Sequence, residues 1–222
     1  METEIEIPNG FKQSEIGVVP EHWKVVSIGR LFDVQQGKAV SPETRRGLSP
    51  NPFLRTSNVL WGKIDLTHVD TMDFSKDEVD YYALREGDLL VCEGGEVGRS
   101  AVWHGGVEMC CYQNHIHRLR PITQDVDPEF YMYWMQSAIL LLGQYRGAGN
   151  KTTIPNLSKN RLKQLPVPKP PIKEQRAVVF VLKAAQTLSE ALESRRRANE
   201  DLFRTLLRNL TTGTLTPSQA EA

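Results

Sequence analysis

LPVPKPPIKEQR, residues 165–176, places four prolines within six positions and then opens a stretch without glycine or proline that runs from Ile172 to about Leu210. Pro166 and Pro168 pre-set an extended backbone, and Pro170 and Pro171 carry it to a helix start, where a missing N–H costs nothing. The spacing predicts one long helix over 172–212. At about 1.5 Å per residue it would reach about 60 Å, roughly twice the width of a small domain. Its apolar residues follow a heptad, with Val178, Ala185, Leu192 and Leu206 on one seam position and Val181, Leu188 and Leu202 on the other. Arg195 and Asn199 interrupt the seam, and an isolated polar residue such as Asn199 can fix register or strand orientation. This pattern predicts a coiled coil with a partner; a long helix packed on its own domain is the alternative. The proline stretch is thus a rigid joint, 166–171, and not a loose linker.

Upstream, 1–165 reads as one domain. Residues 1–22 carry Pro8, Gly10, Gly17 and Pro20 and read as an irregular arm; Trp23 to Val34 reads as a strand entering a short helix. Short β-like runs follow at Phe53–Arg55, Lys63–Asp65, Asp88–Cys92, Ser100–Trp103 and Ile116–Leu119, separated by Gly, Asp and Ser clusters. Asp127-Pro128 is an N-cap with proline at the first helical position, opening a core helix to about Tyr145, and a second short helix is expected over Ser158–Gln164. The fold class is α+β: a mixed, β-rich domain, a proline joint, a long helix and a flexible tail over 213–222.

Composition limits the function classes. The chain has 222 residues, 40% of them apolar, and its Ala138–Leu142 run is too short to span a bilayer. With three cysteines, Cys92, Cys110 and Cys111, a disulfide framework is poorly supported, and a cytoplasmic, reducing location is expected. Lysines and arginines number 27 and aspartates and glutamates 27, so the formal net charge is zero, unlike a generic nucleic-acid binder. The distribution is uneven, however. Asp65 to Glu96 is acid-rich with only Lys76 and Arg85 opposing, whereas Gln144 to Pro171 holds no acid but Arg146, Lys151, Lys159, Arg161, Lys163 and Lys169. Such asymmetry fits a side facing a polyanion as well as it fits unequal solvated loops.

No catalytic apparatus is evident. Cys110, Cys111, His115 and His117 are close in sequence, but adjacent cysteines suit tetrahedral ligation badly, so no metal site is expected. GGEVG, 94–98, is too short for a dinucleotide fingerprint and lacks a P-loop ending. Asn51-Pro52-Phe53 stands without the glycine-rich site of an aminomethyltransferase, and nucleophile motifs are absent. What remains is a binding surface. Lys151, Thr152 and Thr153 sit with Gly149 and Asn150 in a donor-rich loop; Arg55 and Asn58 close a strand; Gln113 and Asn114 carry amides able to pair with adenine. Lys38, Arg45 and Arg46 are further candidate DNA contacts.

In order, VPEHWKVVSIGRLFDVQQGKAVS (18–41), FLRTSNVLWGKIDL (53–66), LREGDLLVCEGGEVGRSAV (84–102), NHIHRLRP (114–121) and GAGNKTTIPNLSKNRLKQLPVPKPPIKEQR (147–176) resemble the specificity subunit of Type I restriction-modification systems. The resemblance covers nearly the whole chain and implies a non-catalytic subunit that reads one half of a bipartite double-stranded DNA target. It also implies partners, the modification (methyltransferase) and restriction subunits, to which S-adenosylmethionine, ATP and Mg would belong, leaving this chain without a cofactor of its own. Family members pair two recognition domains with two antiparallel spacer helices, and this chain has one of each. Either a homodimer or pairing with another half would complete it, and twofold pairing would make the half-sites inverted copies. A recognition fragment of a fused DNA methyltransferase-endonuclease is the alternative, and a purely structural coiled-coil adaptor a third reading.

Overall fold

A computed structural model describes residues 7–143 and 156–215. The chain divides into two compact units, Met1–Arg176 and Ala177–Ala222. The proline stretch and the first turn of the long helix therefore belong to the first unit.

The expected irregular arm contains a hairpin, β1 (Phe11–Ser14) with β2 (Gly17–Pro20), closed by Gly17 at φ +97° and by Ser14 Oγ donating to the Gly17 carbonyl at 2.6 Å. β3 (Lys24–Ser27) then leads through a 3-10 turn, Ile28–Arg30, into β4 (Phe32–Gln36). The sequence pattern predicts a short helix for that second half, and the structure has a strand there beyond the 3-10 turn. Phe32 and Val34 instead alternate inward against exposed Asp33, a period of two that the mixed pattern conceals.

Three further strands join β4 in an antiparallel sheet, β9 (Leu89–Cys92), β10 (Ser100–Val102) and β12 (Ile116–Pro121), in the order β10-β9-β12-β4. β9 is buried along its whole length, as its unbroken Leu-Leu-Val-Cys run requires. A second sheet is centred on β5 (Pro50–Leu54), which runs parallel to β11 (Cys111–Tyr112) on one side and antiparallel to β8 (Asp70–Asp73) on the other. A hairpin of β6 (Val59–Leu60) and β7 (Lys63–Ile64) lies between β5 and β8 in sequence. Leu54, Leu90, Trp103, Tyr112 and Ile116 form a core cluster that draws on both sheets.

Helix α1 (Lys76–Tyr82) follows β8. Its signal was present: Ser75 accepts from the Glu78 amide while Glu78 Oε2 accepts from the Ser75 amide at 2.8 Å, a capping box. α2 (Pro128–Gln136) starts at the Asp127 cap and continues as a π-helical turn, Ser137–Leu141; α3 (Lys159–Gln164) is capped by Ser158.

The opening stretch is a strand followed by a helix start. β13 (Pro166–Lys169) pairs antiparallel with β3, Val167 opposite Val26, and the Ile28 amide donates to the Leu165 carbonyl at 2.9 Å. Two residues apart, Pro166 and Pro168 fall at the positions whose amides would point away from β3, so the pairing loses nothing. Helix α4 (Ile172–Thr211) runs for 40 residues. Its first turn is fastened by adjacent residues. Trp23 Nε1 donates to Glu174 at 2.8 Å, with His22 Nε2 at 2.9 Å, and the Trp23 bond leads in holding the Glu174 carboxyl below its usual range. Gln175 is fully buried; its Nε2 donates to the carbonyls of Asp125 and Pro170, and its Oε1 accepts from the Asp127 amide at 2.9 Å. One side chain thus ties the helix start to the cap of α2.

Among the described residues no helix is long and apolar enough to cross a membrane.

Candidate nucleic-acid interface

Strand order brings sequence-distant polar residues together. Because β11 runs parallel to β5, Gln113 emerges beside the end of β5, and its amide donates to the Leu54 carbonyl at 3.0 Å. The end of β4 joins them through a parallel bridge between Lys38 and Gln113. Gly37 makes this possible: a Cβ there would be driven into the Tyr112 and Gln113 carbonyl oxygens. Arg55, Lys38, Gln113 and Asn114 consequently share one end of the first unit.

Their side chains have different roles. Lys38 Nζ contacts Glu78 at 2.6 Å and donates to the Asp73 carbonyl at 2.8 Å, with the Phe74 ring centroid 4.8 Å away. That cation is committed internally, and the expectation that Lys38 faces DNA is corrected accordingly. Asn58 is corrected too. It is buried; its Oδ1 accepts from the Arg55 amide at 2.9 Å and its Nδ2 donates to the carbonyls of Asp65 and His68, leaving the amide no role in base readout. Gln113 is largely buried, whereas Asn114 is half-buried.

Arg55 is half-exposed and paired with Asp70, Nη1 to Oδ2 at 3.0 Å. Asp70, Arg45, Phe53 and Thr71 line a groove. The exposed loop carrying Arg45 and Arg46 is clasped to β8, because the Ser49 amide donates to Asp73 Oδ1 at 2.6 Å and Ser49 Oγ to the Phe74 carbonyl at 2.7 Å. The Ser49 amide is the leading cause holding the Asp73 carboxyl below its ordinary range. Lys151, Thr152 and Thr153 lie outside the described residues.

A second polar group surrounds Glu93, which sequence reasoning missed because a lone glutamate at a strand end carries no pattern. Gln36 Nε2 donates to Glu93 at 3.3 Å and to the Asn114 carbonyl at 2.9 Å, and the Leu157 amide donates to the Glu93 carbonyl. His117, fully buried, donates Nε2–H to the Leu157 carbonyl at 2.9 Å, fixing the segment that follows the Gly149–Thr153 stretch. Burial pushes the His117 pKa below its ordinary value, so the ring is neutral in the folded protein. The unfolded chain, titrating near ~6.5, binds the proton first, so stability falls as pH drops below that value and levels off below the folded pKa. Up to about 1.4 kcal/mol per pH unit is expected in that window, read as the denaturation midpoint, and His117→Gln should remove this share.

Among the described residues no group of three or more His, Cys, Asp or Glu side chains could hold a metal ion. Burial raises the Cys110 and Cys111 thiols to about 12, which keeps them protonated, and His117 is engaged with Leu157.

The sequence profile described as the Type I restriction modification DNA specificity domain matches residues 20–200, across the β-rich unit and most of α4. The chain belongs to that family. A putative type I restriction enzyme MjaX specificity subunit from Methanocaldococcus jannaschii is 24% identical over 208 residues, covering 88% of this chain and 48% of the relative. The MjaVIII specificity subunit of the same organism is 26% identical over 221 residues, with 91% and 48% covered. This specificity domain chain therefore spans about half the length of the curated relatives it matches. Among solved structures, the HsdS subunit from Thermoanaerobacter tengcongensis superposes with a TM-score of 0.62 at 20% identity, covering 90% of this chain and 47% of that one. A chain from a structure on complex assembly and conformational transition of the type I R-M system gives 0.64 at 20% identity, with 85% and 44% covered. These likenesses bear on the fold: a β-rich unit followed by a long helix.

Proposed function

We propose that this chain is a non-catalytic DNA-reading half of a Type I restriction-modification specificity subunit, one β-rich unit reading one half-site and α4 acting as spacer. The observation that carries the reading is a family match spanning both parts of the chain while relatives named specificity subunits are twice its length. A second copy supplies the missing half, or another half-subunit does. Val178, Val181, Ala185, Leu188, Leu192, Leu202 and Leu206 form the seam, with Asn199 setting register. Supporting this, Leu188, Leu192, Leu202 and Phe203 are more than half exposed in the single chain, an apolar surface that water penalises. Phe203 was not in the expected seam. In the assembled system the chain carries the modification and restriction subunits, to which S-adenosylmethionine, ATP and Mg belong.

DNA-facing residues on this reading are Arg55, Asn114, Arg45, Arg46, Lys151, Thr152 and Thr153, while Gln113, a further candidate from the sequence, is buried and supports them from behind. Fluorescence titration of the complex with DNA across a salt series tests it. If Lys151 neutralises a phosphate, Lys151→Ala lowers the slope of log affinity against log salt by about one. An unchanged slope removes Lys151 from the interface, and no DNA affinity at any salt concentration returns the chain to a structural adaptor. Methylation of DNA by the purified chain with S-adenosylmethionine alone would overturn the non-catalytic assignment.

A further inference from the structure

Arg55 stands on backbone held from several sides. The Leu54 carbonyl accepts from the Gln113 amide at 3.0 Å, the Arg55 amide donates to Asn58 Oδ1 at 2.9 Å, and the Arg55 carbonyl accepts from the Asn58 amide at 3.0 Å. One residue on, the Thr56 carbonyl accepts from Arg99 Nη2 at 2.6 Å. The turn carrying Arg55 is thereby fixed before any ligand arrives, which is how a recognition side chain avoids an ordering cost on binding.

Its guanidinium is aimed as well. Asp70 holds Nη1 at 3.0 Å, and both side chains are about half exposed, 49% and 51%. An ion pair that wet contributes little to stability, so its effect is orientation. Nε and Nη2 make no hydrogen bond among the described residues, leaving one fork of two parallel N–H donors free. Such a fork fits a phosphate or the O6 and N7 of guanine. Asp70 decides between them. A phosphate on the free edge would lie close to a carboxylate, within the acid-rich run that begins at Asp65, and would be repelled. Guanine offers uncharged acceptors and meets no such penalty.

We infer that Arg55, aimed by Asp70, reads guanine at one position of the half-site through paired donation to O6 and N7. Asn58, Gln113 and Arg99 act as positioning residues for it. The inference rests on the proposed DNA-reading function and goes beyond it in naming a base and its reader.

Sequencing of DNA retained from a random pool by the complex, with the unaltered chain and with Arg55→Ala, Arg55→Lys and Asp70→Asn, tests it. The unaltered chain should enrich guanine at one position per half-site. Arg55→Ala should abolish that preference, a loss on the order of 10- to 100-fold in discrimination, and leave the other positions intact. Arg55→Lys keeps the charge and the Asp70 pair but lacks the fork; it should fold as the parent does, by thermal melting, and lose most of the preference. Asp70→Asn should weaken the same position alone. Retention of the guanine preference in both Arg55 variants overturns the inference, as does a uniform loss of affinity with a salt slope lower by about one, which marks a phosphate contact. Failure of the unaltered chain to retain any DNA refutes the parent reading instead.

Discussion

Replacing Leu188 and Leu192 together with glutamate is expected to leave the chain monomeric by light scattering at tens of micromolar, a concentration at which the proposed pairing predicts a dimer for the unaltered protein. Both leucines are more than half exposed in the single chain, 61% and 58%. Burying a leucine contributes about 1.5–3 kcal/mol, and a symmetric pair buries four of them. Because each is already partly covered, the four together lose roughly 4–7 kcal/mol, which raises the dissociation constant by about three to five orders of magnitude, before the cost of bringing carboxylates into an apolar seam. An unaltered chain that is monomeric at that concentration would remove the homodimer and leave pairing with a different half.

Gly37→Ala should have the largest effect on the β-rich unit. Three backbone bonds meet at this point: Gly37 amide to Ile116 carbonyl at 3.2 Å, Lys38 amide to Tyr112 carbonyl at 3.1 Å, and Asn114 amide to Lys38 carbonyl at 2.8 Å. A methyl group at residue 37 overlaps main-chain oxygens that have no rotamer in which to retreat. Relief requires separating β4 from residues 112–114, which breaks those bonds at about 1 kcal/mol each. A loss of roughly 3 kcal/mol follows, lowering the melting temperature by about 6–12 °C for a unit of this size. Weaker DNA binding should accompany it, because Gln113 and Asn114 move with the displaced strand end. A melting temperature equal to the parent's would show that the close approach is not as described.

The long helix was legible because nothing in 172–210 opposes it and its heptad is explicit. Strands such as Leu89–Cys92 were legible as short apolar runs between turn residues. β4 is not legible, since Leu31, Phe32 and Val34 fit either period, whereas α1 carries its own signal in Ser75 and Glu78. For the site, residue type named Arg55, whose side chain is half exposed, together with Asn58 and Lys38, whose polar atoms are engaged internally. An amide or an ammonium looks the same in sequence whether it meets DNA or its own backbone, and only the tertiary partners, Asp65 and His68 for one and Asp73 and Glu78 for the other, separate the two. Asp70 was invisible for a related reason: in an acid-rich stretch its charge argued against DNA, whereas its place opposite Phe53 makes it a partner for Arg55.

Whether paired half-length chains read two half-sites across a fixed gap is decided by sequencing the DNA retained from a random pool with the modification subunit present. A bipartite target is predicted, its two halves inverted copies of each other and separated by one spacing, since a twofold protein imposes its symmetry on the site it reads. A single uninterrupted site, two halves in direct repeat, or equal tolerance of several spacings would contradict it.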